Sequence, residues 1–244
     1  MSKSFLIDTS RCTACRGCQL ACKEWHGLPA NKTLQWGSHQ NPPDLNPNNY
    51  KLVRFHDYMD ETGTIRWNFF PDQCRHCEVP PCKEVGDVYI DNAIIKDEKT
   101  GAVLYTEKTM QFTPEQAEEV REACPYNIPR RNDQTGLMSK CTMCFGRITN
   151  GLPPSCVRAC PTGTMNFGER EDMLKLAEER LALLKKKWPK ASLGDPEDVS
   201  VIYLMTDTPD TYHEYAVAEA KPTSPMTKKQ LFAKLASPIK AMKA

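Results

Sequence analysis

The sequence has no run of 18 apolar residues, so no helix long and apolar enough to cross a bilayer is expected. It also lacks a strong charge of one sign. Its 244 residues sum to +1; residues 221–244 hold six lysines and no acid, which leaves 26 basic and 31 acidic side chains in residues 1–220, a net of −5. A mildly acidic body does not carry the basic footprint of a nucleic-acid binder, so no nucleic-acid partner is expected. The N-terminus, MSKSFLIDTSRC, has a lysine but neither the long apolar stretch nor the small-residue cleavage site of a secretory signal. A location outside the cytoplasm would need another carrier. No nucleophile–base constellation stands out, and TGTMNFG (162–168) lacks the Walker spacing. The chain therefore reads as non-catalytic by itself. Aromatic residues are modest at 8% and apolar residues reach 40%, a thin core for this length. Something besides hydrophobic burial must help to hold the fold.

What the chain has in excess is cysteine, twelve in all, together with nineteen prolines. The cysteines fall into four groups. RCTACRGCQLAC places Cys12, Cys15, Cys18 and Cys22 at C-x2-C-x2-C-x3-C spacing. CRHCEVPPC holds Cys74, Cys77 and Cys82; a lone Cys124 precedes Pro125; and CTMCFGRITNGLPPSCVRACP holds Cys141, Cys144, Cys156 and Cys160 before Pro161. A disulfide framework suits an even count, but a C-x2-C pair is a poor partner for itself, and disulfide-dense domains are usually much shorter. Zinc sites generally use two C-x2-C pairs per metal, often with histidine, and a zinc-binding interaction protein is the alternative of a different class. The first group instead has the spacing of bacterial ferredoxins, in which the last cysteine serves a second cluster and is followed by proline. Three thiolates on one tight loop reach three irons of a cubane, and a remote cysteine before a proline reaches the fourth.

Applied to the first and last groups, this crossover gives cluster A to Cys12, Cys15, Cys18 and Cys160, and cluster B to Cys141, Cys144, Cys156 and Cys22. The long step from Cys144 to Cys156 makes FGRITNGLPPS bulge out. Cys74, Cys77, Cys82 and Cys124 remain for cluster C. Counting back from Cys124 with the same spacing reaches Val120, Ala117 and Pro114, and counting forward from Cys82 reaches Gly86. Those four positions form the complete ligand set of a fourth cluster, so the pattern reads as a four-cluster chain that lost one cluster whole. Twelve thiols then serve three [4Fe-4S] clusters with none left over.

Over residues 4–168 the four groups, in order, resemble the four-cluster electron-transfer subunits of molybdopterin oxidoreductases. DTSRCTACRGCQLACKEWHG, HQNPPD, FFPDQCRHC, ACPYNIPR and ITNGLPPSCVRACPTGTMNFG are more closely similar to the beta subunit of the two-subunit tungsten- or molybdenum-dependent formate dehydrogenases of sulfate-reducing bacteria, as is YHEYAVA (212–218). The resemblance implies a catalytic alpha subunit with a tungsten or molybdenum bis-pterin guanine dinucleotide and one further [4Fe-4S] cluster. It implies electron relay from there to an acceptor such as a c-type cytochrome. It also implies a periplasmic location, reached by export with the folded catalytic subunit; a cytoplasmic location is the alternative. A polysulfide- or nitrate-reductase-type subunit is the nearest alternative function. The lysine-rich extension after residue 218 departs from shorter members of the family.

The expected fold is α+β: two ferredoxin-like lobes of short hairpins and helices around the clusters, with loop insertions. Residues 1–73 and 138–168 would hold two clusters and residues 74–137 one. A helix and strand would pack over 169–218, and 219–244 would be a lysine-rich tail, with Leu231, Phe232 and Leu235 on one side of a short amphipathic helix. SFLID reads as a strand, 27–50 as an irregular excursion, 51–70 as a hairpin turning at DETG, and AIIKDEKTGAVLYT as a second hairpin. Thr113 reads as the N-cap of a helix over 113–123. Leu174, Ala177, Leu181, Leu184 and Trp188 form the stripe of a helix over 170–188, stopped by Pro189. VSVIYLMT (199–206) reads as a buried strand. Cations flank the cysteines at Arg11, Arg16, Lys23, Arg75, Lys83, Lys140, Arg147 and Arg158, and tuning of an anionic cluster is expected foremost from those inside cysteine loops, Arg16 and Arg75. The five histidines, His26, His39, His56, His76 and His213, read as structural or surface groups.

Overall fold

A computed structural model describes residues 2–218; the lysine-rich tail and its Leu231, Phe232 and Leu235 stripe lie outside the described residues. The chain opens with strand β1 (Lys3–Asp8) and, after the first cysteine loop, helix α1 (Gly17–Trp25). An irregular stretch then leads to strands β2 (Leu52–Met59) and β3 (Ile65–Asp72), which pair antiparallel from Leu52↔Asp72 to Met59↔Ile65. The turn falls at DETG, where Asp60 accepts the N–H groups of Thr62 and Thr64 and so closes the hairpin.

The second lobe comprises α2 (Pro81–Tyr89), the short hairpin β4 (Ile94–Lys96) and β5 (Val103–Tyr105), and α3 (Pro114–Glu122). Thr113 and Gln116 form a complete capping box at the start of α3, with Pro114 in its first turn, where a missing N–H costs nothing. A two-residue ladder, β6 (Arg130–Arg131) with β7 (Met138–Ser139), closes the lobe and leads back to the first. Single-turn helices α4 (Phe145–Ile148) and α5 (Ser155–Arg158) follow, then strand β8 (Met165–Glu169), helix α6 (Arg170–Lys185), and strands β9 (Ser192–Gly194) and β10 (Val201–Met205).

Four of these strands form one sheet in the order β8-β1-β10-β9. β1 and β10 run parallel, with Phe5 opposite Val201 and Asp8 opposite Leu204. Every residue of β10 is buried, because the sheet is covered on both faces. Leu6, Ile202 and Leu204 point to one face and pack under the Leu174, Ala177, Leu181 and Leu184 stripe of α6. Phe5, Ile7, Val201, Tyr203 and Met205 point to the other, where they meet Cys18 and Cys156. The two-residue period of a strand thus assigns one face to a helix and the other to the cysteine loops. The fold is α+β, with small sheets and short helices. α6 ends at Lys185, before Trp188, whose N–H still reaches Leu184 O at 2.8 Å. Within the segment 169–218, α6 packs on the sheet while β10 lies inside it between β1 and β9.

Candidate metal centres

None of the twelve cysteines is disulfide-bonded. They lie near one another in three groups of four. Cys12, Cys15, Cys18 and Cys160 line a cavity together with Val53 and Pro71. Cys74, Cys77, Cys82 and Cys124 line another, walled by Pro80, Pro81, Tyr105, Pro125, Ile128 and Lys140. Cys22 of α1 faces Cys141, Cys144 and Cys156, so the fourth member of that tetrad comes from the far end of the chain.

The local backbone explains the convergence. In three of the four C-x2-C pairs the residue before the second cysteine is left-handed: Ala14 (φ 53°), His76 (φ 49°) and Met143 (φ 57°); in the fourth, Cys15–Cys18, the left-handed residue is Arg16 (φ 60°), directly after the first cysteine. This turn brings both sulfurs of a pair to one side. It also aims a backbone N–H at the first sulfur, from His76 to Cys74 and from Met143 to Cys141, each at 3.4 Å. The two Cys–Pro cysteines share a device of their own. Three residues after each, at Asn127 (φ 50°) and Gly163 (φ 72°), the chain again turns left-handed. The loop curls back so that the N–H groups of Tyr126 and Ile128 reach Cys124, and those of Thr162, Thr164 and Met165 reach Cys160.

The donor set fits an iron–sulfur cluster better than any bare thiol function. Burial pushes the Cys12 thiol up to about 11 and those of Cys124, Cys141 and Cys156 to about 12, and it also raises that of Cys22 well above its ordinary value. Only at Cys160 do the surrounding N–H groups outweigh burial and draw the thiol down. Thiols this reluctant to ionise are thiolates only beside a compensating cation, which metal ligation supplies. Among the described residues no group of His, Cys, Asp or Glu side chains is drawn in tightly enough to share a single ion, as a zinc site would require. The third cavity also receives a polar atom: the buried Tyr105 hydroxyl lies against Cys82 and hydrogen-bonds its sulfur.

The tetrads form a row. Cys18 of the first and Cys156 of the middle one share the core that lies against the sheet. Cys141 of the middle one and Cys74 of the third share another, with Leu45, Leu52, Tyr126, Ile128 and Val199. Cys15, in the first tetrad, is the exposed cysteine of the twelve.

Where a fourth tetrad would lie there is hydrocarbon. Ala117 and Val120 belong to a core with Ala93, Ile94, Val103, Phe112 and Met138. Gly86 faces the same core, for a Cβ placed on it would lie 3.0 Å from Ile94 Cδ1 and 3.6 Å from Phe112 Cζ. Pro114 sits apart, exposed at the start of α3.

The flanking cations divide. Arg75 is fully buried, stacked against Phe70, Tyr126 and Tyr203, and paired with Asp72 at 2.8 Å. Arg16 donates to His39 O, Arg147 lies over the Trp25 ring and Lys83 pairs with Asp87. Lys140 is buried against the third cavity. Sequence reasoning missed Lys51, a fully enclosed ammonium faced by Cys18, Cys156 and Cys141; burial acts to deprotonate it, and those neighbours outweigh burial. Its neighbours in sequence, YKLVRF, carry no signal of this. Of the histidines, His76 is buried and neutral, with Nδ1 accepting the Val103 N–H at 3.0 Å, while His26 Nε2 lies 4.0 Å from Cys144 Sγ at the edge of the middle tetrad.

Comparison with known proteins points to iron–sulfur clusters. Residues 65–170 match the family model of a 4Fe-4S dicluster domain. The chain is 63% identical over 216 residues to formate dehydrogenase 2 subunit beta (cytochrome c-553) of Nitratidesulfovibrio vulgaris, covering 88% of this chain and 99% of that one. It belongs to the formate dehydrogenase beta subunits. The beta subunit from Megalodesulfovibrio gigas is 55% identical over 89% of this chain and all of its own length. The nitrate-inducible formate dehydrogenase iron–sulfur subunit of Escherichia coli is 34% identical, over 85% of this chain and 70% of its own. This beta subunit is accordingly an iron–sulfur electron-transfer component of an oxidoreductase complex. Among its described residues, no helix is long and apolar enough to cross a membrane.

Proposed function

We propose that this beta subunit holds three [4Fe-4S] clusters, on Cys12, Cys15, Cys18 and Cys160, on Cys22, Cys141, Cys144 and Cys156, and on Cys74, Cys77, Cys82 and Cys124. Through them it relays electrons between a catalytic alpha subunit and a c-type cytochrome. The observation that carries this reading is the gathering of all twelve cysteines into three tetrads in a row. Bound clusters supply one-electron chemistry. The protein supplies ligands, N–H donors to their sulfurs, and a largely buried setting that limits water at the middle and third sites. The chain's own role is then conduction without catalysis, and formate chemistry belongs to the alpha subunit with its tungsten or molybdenum bis-pterin cofactor and its own cluster. A cytochrome acceptor is supported by the Nitratidesulfovibrio vulgaris relative, whose name includes cytochrome c-553. We infer a periplasmic complex, exported with the folded alpha subunit, and cell fractionation tests it.

Anaerobically purified chain should be brown and carry about twelve iron and twelve sulfide. Iron near eight or near sixteen would overturn the three-tetrad reading, and a colourless zinc protein would overturn the whole of it. Metal analysis of the co-purified alpha subunit decides between tungsten and molybdenum.

A further inference from the structure

Two buried lysines stand apart from the buried arginines in having no carboxylate. Arg75 and Arg54 share Asp72, at 2.8 and 2.7 Å, and Arg54 and Arg130 share Asp44, each at 2.6 Å. Each of these three arginines thus has a carboxylate partner, though two carboxylates serve all three. Lys51 is 2% exposed, and its ammonium donates only to Pro71 O, at 3.4 Å, and to Gln73 Oε1. Lys140 is 4% exposed; it donates to Val103 O at 2.5 Å and Cys141 O at 3.0 Å, and lies 4.9 Å from the centre of the Tyr105 ring. Among the described residues neither ammonium has a carboxylate within 4.0 Å.

An ammonium taken out of water without an anion is costly, and a fold keeps one only where an anion answers it. The groups available to do so are the cysteine sulfurs. Lys51 is bonded to the carbonyl of Pro71, which lines the first cavity, and to Gln73, next to Cys74; Cys18, Cys156 and Cys141 face it. Lys140 lines the third cavity and faces Cys82.

We propose that Lys51 and Lys140 are the fixed counter-charges of the cluster row, Lys51 serving clusters A and B at their junction and Lys140 serving cluster C. The inference rests on the tetrads holding cubanes. One-electron reduction adds a negative charge to a cluster, so a buried cation beside it stabilises the reduced form and raises the potential. Arg75 does this less, because Asp72 offsets part of its charge, and Arg16, half-buried at the rim of the first cavity, is more screened than an enclosed ammonium. Both lysines are positioning residues: they touch no substrate and act on the electron through the cluster.

The test is a redox titration of the purified complex, followed by electron paramagnetic resonance, with cluster C identified by the signal lost in Cys124→Ala. Iron analysis of the wild type comes first; if it shows no cubanes, the tetrad reading fails rather than this one. Lys51→Gln keeps an N–H donor for Gln73 and removes the charge. It should lower the reduced-to-oxidised ratio of clusters A and B at least tenfold at a fixed potential, or 59 mV for a one-electron couple, and leave C unmoved. Lys140→Gln should do the same to C and leave A unmoved. Lys51→Arg and Lys140→Arg should stay within threefold of wild type. Loaded Gln variants with unshifted potentials would overturn the proposal, as would equal shifts in the Gln and Arg variants. If Lys51→Gln fails to load A and B, loading by Lys51→Arg supports the counter-charge. Failure of both would mark Lys51 as a packing residue and overturn it.

Discussion

Cys124 shows how much rests on single residues. It stands 42 positions beyond Cys82, yet both line one cavity. Cys124→Ala should remove one iron's protein thiolate, leaving a three-iron centre or no cluster at that tetrad, while the other two persist. Three unaltered four-iron signals would show that Cys124 is not a ligand. Asp72 has a structural counterpart to that role. It is fully buried and holds both Arg54 and Arg75, so Asp72→Asn leaves Arg75 without a carboxylate and Arg54 with Asp44 alone, and should cost roughly 3–5 kcal/mol, read as a lowered melting temperature. His213 gives the chain a pH dependence of its own. Burial, the leading cause, lowers its pKa to about 4, with Arg54 and Arg75 adding to this and Asp72 opposing it. The fold therefore favours the neutral ring. Its contribution is fully present above the unfolded value of about 6.5 and is lost as the pH falls through about 4, a total on the order of 3 kcal/mol. Between pH 7 and pH 5, His213→Phe should lose less melting temperature than wild type; parallel losses would show that His213 does not titrate with unfolding.

Among the elements, the second lobe is instructive because its α2, β4–β5 hairpin and α3 close on hydrocarbon where a fourth tetrad would close on iron. Phe112→Ala should cost about 3–5 kcal/mol through the cavity it leaves and leave the iron content unchanged, since no cysteine is touched. Iron loss in proportion to the loss of stability would instead tie the plug to cluster C. The same lobe shows what the residues disclose in advance. The capped helix after Thr113 and the two hairpins were legible, because caps and alternation are local. The tetrads were legible because ligand spacing is a geometric demand of the cluster. Strands β8 and β9 were not: MNFGE and SLG are short, and β8 holds a glycine and an asparagine. Nor was the parallel pairing of β1 with β10, which depends on a partner almost 200 residues away. Lys51 was illegible for a third reason. Its burial comes from packing around it, and a lysine between a tyrosine and a leucine reads as a solvated strand residue.

For the whole molecule, the row of tetrads makes the middle one a required stop. Cys22→Ala should break that stop without removing a ligand from either neighbour. In the complex, formate should then still reduce cluster A, the one with the exposed Cys15, while reduction of cluster C slows sharply in rapid-freeze spectra. Equal rates for C in variant and wild type would mean that the row is not the route. The position of β10 carries a further consequence, which concerns time. β1 leaves the ribosome almost 200 residues ahead of its parallel neighbour, Val201–Met205. Cys12, Cys15 and Cys18 likewise wait for Cys160. At roughly 5–20 residues per second, the N-terminal thiols spend on the order of 10–40 s as an open loop before the sheet that backs them can form. Cluster insertion is therefore an event of the nearly finished chain, and nascent chains stopped short of residue 201 should carry no stable cluster A.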